Sequence, residues 1–162
     1  MERGLRSVDR CQSIVEKLLI YTQLSSDIKE DVSLRGVVND TLEFFQSRLR
    51  LEEFQLETNL EPDVWVAGHS QELQQILVSF LLNATEAYPP EHVGDKQVTV
   101  SIGREEKWAW IEVEDRGEGV SEDNLRRVFE PFFTTKVIGK NTGLGLSVAL
   151  EIARRHGGDV RI

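Results

Sequence analysis

A single cysteine, Cys11, excludes an internal disulfide framework, and three scattered histidines beside it give no zinc-ligand spacing. Long apolar runs are missing too. The longest, Ile76 to Leu82, is interrupted by Ser79 and is far too short to cross a bilayer. Nothing near Met1 has the charged, apolar and small-residue order of a signal peptide. Basic residues are in deficit, 19 Lys and Arg against 28 Asp and Glu, and a net charge of −9 disfavours general attraction to nucleic acid or anionic lipid. A local phosphate pocket remains open. What is present, 40% hydrophobic and 29% charged residues over 162 positions, describes one ordinary globular domain with room for a helical extension. The expected setting is cytoplasmic, as a free chain or as the cytoplasmic part of something longer, with no nucleic-acid partner and no membrane contact by this segment.

Leu5, Val8, Val15 and Leu19, reinforced by Cys11, Leu18 and Tyr21, have the three-four spacing of an amphipathic helix. The polar stretch Ser25 to Asp31 ends it, which predicts a helical arm over residues 1–28 and a main domain over 29–162. Ser33 is the predicted N-cap of a second helix with Leu34, Val37, Val38, Leu42, Phe45 and Leu49 on its core face. From Phe54 the period changes to two, and Pro62-Asp63 predicts a hairpin-like turn into a strand over Val64 to Ala67. Ser70 is the expected cap of a helix over Gln71 to Tyr88, stopped by Pro89-Pro90. Strands over Gln97 to Gly103 and Trp108 to Glu114, a short helix from Ser121, a loop from Pro131 to Thr142 and a helix from Gly143 to His156 follow. Gly157-Gly158 ends that helix, and Asp159 to Ile162 begins another strand. The expected fold class is α+β, a two-layer α/β sandwich with an N-terminal helical arm.

Known phosphate loops are absent. The only Gly-Lys pair, Gly139-Lys140, is followed by Asn141, which excludes a Walker A loop, and Gly143 and Gly145 do not complete G-x-G-x-x-G. Three other stretches carry chemistry. Gln75, Ser79, Asn83 and Glu86 form one polar stripe on the helix ending N-A-T-E-A-Y. Such a stripe is usually a solvated face, but Leu81, Leu82, Ala84 and Ala87 flank this one, and an amide there offers an oxygen to Mg²⁺. Asp115 ends the inward face of the strand Ala109-Ile111-Val113, where a carboxylate needs a partner, and D-R-G-E-G places Gly117 and Gly119 beside it. D-x-G-x-G alone is a weak signal, because Asp and Gly cluster in ordinary turns. Finally, F-E-P-F-F-T-T-K leads into N-T-G-L-G-L-S directly before a helix, whose free N-terminal amides and dipole suit phosphate oxygens. Trp108 and Trp110, on the outward face of their strand, read either as a docking surface or as ordinary packing.

Together and in this order, the Asn83 helix, D-R-G-E-G, F-E-P-F-F-T-T-K and N-T-G-L-G-L closely resemble the N, G1, F and G2 boxes of the GHKL ATPase superfamily. Within it the chain is most similar to the catalytic ATP-binding domain of bacterial sensor histidine kinases, and N-A-T-E-A with F-F-T-T-K looks most like the nitrogen-regulation-type group. The resemblance implies a Bergerat-type fold, with ATP and Mg²⁺ as cofactors. It also implies that residues 1–28 are the second helix of a dimerisation domain and that the full-length protein is a homodimer. By the same resemblance Asp115 would accept the adenine amino group, Gly117 and Gly119 would let backbone close over the ring, and Asn83 would ligate Mg²⁺. Thr142, Gly143, Leu144, Gly145 and Leu146 would form the phosphate-binding end of a lid, supported by Lys136 and Lys140 and anchored by Phe129, Phe132 and Phe133.

The departures are informative. Hydrolysing relatives carry a glutamate base one turn before the metal asparagine; Ser79 stands there, which favours phosphoryl transfer over water activation. Glu86 replaces a phosphate-binding lysine of many relatives and is read as a catalytic residue orienting the acceptor imidazole, or else as a partner for a cation. No phosphoacceptor motif surrounds His69, His92 or His156. The expectation is therefore a piece of a longer protein that binds Mg·ATP, phosphorylates a histidine domain not in this chain, and serves a response regulator receiver domain. A nucleotide-sensing scaffold and a GHKL serine kinase of the anti-sigma type are the alternatives.

Overall fold

The computed structural model describes residues 29–89, 91–136 and 142–162. The arm expected over 1–28 lies outside the described residues. Strand β1 (Glu30–Ser33) passes directly into helix α1 (Leu34–Leu51). Ser33 is the N-cap: its extended backbone turns the chain, and its Oγ accepts the Gly36 N–H at 3.0 Å. The expected apolar face of α1 is buried, together with Thr41, whose hydroxyl donates to the Val37 carbonyl at 2.7 Å.

Strand β2 (Phe54–Asn59) alternates as its period requires, but the hairpin expected between it and strand β3 (Trp65–Gly68) does not form. Instead β3 pairs antiparallel with β1. The connection is claimed by the start of α1. Asp63 accepts the Ser33 hydroxyl at 2.8 Å and the Arg35 N–H at 3.1 Å, and the Val64 carbonyl accepts the Leu34 N–H at 2.8 Å. Those bonds draw the chain away from β2.

Strand β2 pairs in parallel with β4 (Lys96–Glu105), which pairs antiparallel with β5 (Trp108–Asp115). A parallel pair needs a long crossover. Helix α2 (Ser70–Thr85) lies within it, starting one residue before the expected helix, so Ser70 is its first residue and His69 its N-cap, without a side-chain bond. Inward-facing Leu56, Val98 and Asp115 share one row across the sheet, and Thr58, Val100 and Val113 the next. Helices α1 and α2 cover this face and helix α4 (Gly145–Arg155) packs beside α2, giving the expected two-layer α+β sandwich; the short α3 (Glu122–Leu125) comes between β5 and α4 in the chain. Leu77, Leu81, Val37, Val38, Val98, Val100 and Ile152 are fully buried where the layers meet. Each such side chain contributes roughly 1.5–3 kcal/mol relative to exposure.

One further expectation is corrected. Asp159 to Ile162 form no strand: Gly157 turns left-handed at φ +79°, the Gly158 N–H caps the Ala153 carbonyl at 2.8 Å, and the residues that follow pair with no strand among the described residues. Trp110, for which docking and packing were both open, does pack across the sheet while staying 40% exposed. Its indole lies so flat on Gly103 that a Cβ there would stand 2.2 Å from the ring.

Candidate functional site

The stripe Gln75, Ser79, Asn83 and Glu86 is half-buried along its length, so it is not a solvated helix face. At its centre the Asn83 side-chain Nδ2 is buried and has no hydrogen-bond partner. Such a group costs about 1–3 kcal/mol, and native structures rarely keep one without a reason. Because amide oxygen and nitrogen exchange places by a half-turn about χ2, the same position presents either a donor or Oδ1. An oxygen-seeking cation is one ligand that would relieve it, and in that respect the residues present fit Mg²⁺.

One end of the stripe receives the loop after β5. Asp115 Oδ1 accepts the Gly117 N–H at 2.8 Å, which holds the carboxylate against its own turn. Gly117 packs so tightly on the end of α2 that a Cβ would lie 2.5 Å from the Ala87 Cβ and 2.6 Å from the Ala87 carbonyl oxygen. That carbonyl accepts the Glu118 N–H at 3.0 Å. Gly119 is different: it is left-handed at φ +68°, with nothing near it. The loop needs its two alternate glycines for separate reasons, contact at Gly117 and conformation at Gly119. Tyr88, which sequence reasoning passed over, also ties the loop down, its hydroxyl accepting the Arg116 N–H at 2.8 Å. Its only signal was an aromatic residue directly after the helix; its partners lie far along the chain.

The other end receives α4. Helix α4 begins at Gly145 with Leu144 as N-cap and no side-chain capping bond, and Val148 is the first residue whose N–H reaches the Leu144 carbonyl. The amides of Gly145, Leu146 and Ser147 therefore carry the helix's partial positive charge without an internal partner. A Cβ on Gly145 would sit 3.7 Å from Ser79 Oγ, so these amides open beside the polar stripe, one turn from Asn83. Gly143 is left-handed at φ +66° and lies against Phe132 and Phe133, whose backbone a Cβ would strike; the Phe132 N–H donates to the Gly143 carbonyl at 2.9 Å. Thr142, Leu144 and Leu146 are half-buried beside it.

Lys136 does not stand alone as a phosphate-supporting cation. Its Nζ meets Glu86 Oε2 at 2.8 Å, which ties Lys136 to the end of α2 and gives Glu86 the cation partner that was the second of its two readings. Lys140 lies outside the described residues. Of the three phenylalanines expected to anchor the lid, Phe129 packs on the core and Phe133 stacks under Arg127 at 4.3 Å. Phe132 does not anchor: it is 73% exposed and left-handed at φ +67°, because its backbone is committed to Gly143. It borders a groove of about 760 Å³ with Phe129, Leu144, Leu150 and Arg154, away from the stripe.

From Ser79 to Ala87 is roughly 12 Å of helix axis at 1.5 Å per residue. Loop, amide and helix N-terminus thus line up along one edge of α2. A two-layer α+β sandwich with this arrangement has the Bergerat fold of GHKL ATP-binding domains, as in solved histidine kinase catalytic domains. Residues 68–162 match the family described as histidine kinase-, DNA gyrase B-, and HSP90-like ATPase, and the chain belongs to that family. It is 33% identical over 151 residues to the C4-dicarboxylate transport sensor protein DctB of Pseudomonas aeruginosa, covering 92% of this chain and 24% of that protein. To sporulation kinase E of Bacillus subtilis it is 30% identical over 154 residues, covering 94% and 20%. The chain thus spans about a fifth to a quarter of these relatives. Among solved structures it is similar to the mycobacterial sensor histidine kinase MprB, with a TM-score of 0.65 and 26% identity over 80% of this chain and 81% of that one. Full-length ShkA in complex with AMPPNP shares the fold at a TM-score of 0.75 and 22% identity, over 93% and 32%.

Proposed function

We propose that this chain is the catalytic domain of a sensor histidine kinase, closest in its motifs to the nitrogen-regulation-type group, and that it binds Mg·ATP along α2 and passes the γ-phosphoryl to a histidine on a dimerisation domain. The observation that carries this reading is the meeting of three distant segments on one edge of α2, around an amide the fold leaves unsatisfied. Asp115 accepts the adenine amino group, with Gly117 and Gly119 giving backbone access to the ring. Asn83 turns its amide oxygen to the metal, and the free amides of α4 with Thr142, Gly143 and Leu144 take the phosphate oxygens. Lys136 and Lys140 supply positive charge in an acidic chain. A Mg²⁺ ion held by Asn83 would supply positive charge to offset that of the phosphates.

In the transfer the bond from phosphorus to the β,γ-bridging oxygen breaks, a bond to the acceptor imidazole nitrogen forms, and ADP leaves. Glu86 orients that imidazole and takes its proton once Lys136 has moved to the phosphates. Ser79, a poor base, leaves water unactivated, which favours transfer over hydrolysis. The partners are a second copy, through residues 1–28, whose sequence pattern is that of an amphipathic helix, and a response regulator; the solved histidine kinase ThkA, similar in fold, is in complex with response regulator protein TrrA. Among the described residues no helix is long and apolar enough to cross a membrane.

Calorimetry with Mg·ATP tests the site. Asn83→Ala and Asp115→Asn are each expected to weaken binding at least about tenfold, the loss of one charge-assisted contact; full affinity in both variants overturns the assignment. Incubation with a separate dimerisation domain and labelled ATP tests the transfer, which is expected to label a histidine there. A chain that binds ATP but labels nothing is a sensing module.

A further inference from the structure

The geometry points to Tyr88 as a positioning residue for adenine recognition, acting through Asp115; this rests on the nucleotide-site reading above. Tyr88 follows α2 and is 8% exposed, its ring wedged edge-on between Phe54 at 5.3 Å and His92 at 4.9 Å. Every bonding position of its hydroxyl is used. It donates to the Gln97 carbonyl at 2.7 Å and accepts the N–H groups of Gln97 at 3.1 Å and Arg116 at 2.8 Å.

These partners are not arbitrary. The ladder between β4 and β5 ends with Val98 opposite Asp115, so its next antiparallel pair would join Gln97 to Arg116. The phenol oxygen occupies that place and takes both amides. The strand therefore releases the chain at Asp115, and the following residues turn towards α2, where Glu118 bonds to Ala87. With Oδ1 held by Gly117, Oδ2 is the carboxylate oxygen left for a ligand. Tyr88 sets where that oxygen stands, and among the described residues its hydroxyl bonds go to Gln97 and Arg116 and its ring contacts to Phe54 and His92, not to Asn83 or the N-terminus of α4. A residue of this kind governs recognition of the base and not of the phosphates.

The test is Tyr88→Phe, which keeps the ring and removes the hydroxyl. Binding of Mg·ATP is compared with binding of Mg·tripolyphosphate, in the wild-type and Asp115→Asn backgrounds. A net loss worth one or two hydrogen bonds predicts an ATP Kd raised about three- to tenfold. The tripolyphosphate Kd should stay unchanged, and Tyr88→Phe should add nothing once Asp115 is replaced. Equal weakening of both ligands, an unchanged ATP Kd, or an undiminished effect in the Asp115→Asn background overturns the role of Tyr88. Full ATP affinity in Asp115→Asn alone overturns instead the nucleotide-site reading beneath it. Hydrogen exchange on the wild-type chain does not depend on the variant's folding: the Arg116 amide, at the end of a ladder, should be protected without ligand, and free exchange there counts against the proposal.

Discussion

Replacing Asn83 by alanine removes a buried amide nitrogen that has no hydrogen-bond partner among the described residues, so the unliganded protein loses little from it beyond packing contacts. Its stability is expected to hold or to rise by up to about 1 kcal/mol in urea titration, while Mg·ATP affinity falls. A clear destabilisation would mean that the amide has a structural role. The two glycines of the D-R-G-E-G loop separate in the same way. At Gly117 the obstacle is contact, because an added methyl meets the Ala87 backbone at 2.6 Å and the loop must leave α2. At Gly119 there is space, and the cost is the left-handed backbone alone, about 1 kcal/mol. Gly117→Ala should therefore lose ATP binding tenfold or more, with Gly119→Ala losing far less; equal losses would place the requirement in flexibility rather than in the contact with Ala87.

Helix starts join stability to function at the next scale. Helix α1 is capped by Ser33, which is itself fixed by Asp63. Partial burial alone would raise the Asp63 carboxyl, but the Ser33 hydroxyl, the Arg35 amide, the Arg35 guanidinium and the Val64 amide together hold it below its ordinary value of 3.8. A carboxyl lowered by folding stabilises above its unfolded pKa, and that contribution disappears as pH falls through the folded value. Asp63→Asn should lower Tm at pH 7, and the difference from wild type should shrink below pH 4; a constant difference down to pH 3 would show that shape, not charge, matters at this cap. Helix α4 is the opposite case, with no side-chain cap at all. Gly145→Asp would place a carboxylate at that N-terminus, where the dipole favours it by about 0.3–1 kcal/mol, and into the place proposed for phosphate. A higher Tm with weakened tripolyphosphate binding is the expected pair of results. Retained binding would move the phosphates off this helix.

For the whole molecule, what was legible followed local rules. Ser33 capping α1, the alternation that turns Asp115 inward, and the glycines before α4 all depend on neighbours within a few residues. Pairing across the chain was not legible. Phe54 to Asn59 reads the same whether it meets β3 in a hairpin or β4 in parallel, and the choice was made by Asp63 bonding to Ser33, thirty residues away. Tyr88 was missed for the same reason, since its hydroxyl answers to Gln97 and Arg116. These long-range ties give the domain a response to ligand that its separate elements lack: the proposed nucleotide bridges the β5 loop, α2 and α4. A ligand bound only by the folded chain adds about 2.7 kcal/mol at a hundredfold excess over Kd. At about 2–4 °C per kcal/mol for a chain of this size, Mg·ATP should raise Tm by roughly 5–11 °C. Adding EDTA should abolish most of that gain in the wild type, because Asn83 then has no cation to hold. In Asn83→Ala the small remaining shift should be insensitive to EDTA. If EDTA instead lowers the shift equally in both, the metal is bound elsewhere, and Asn83 owes its place on α2 to something other than coordination.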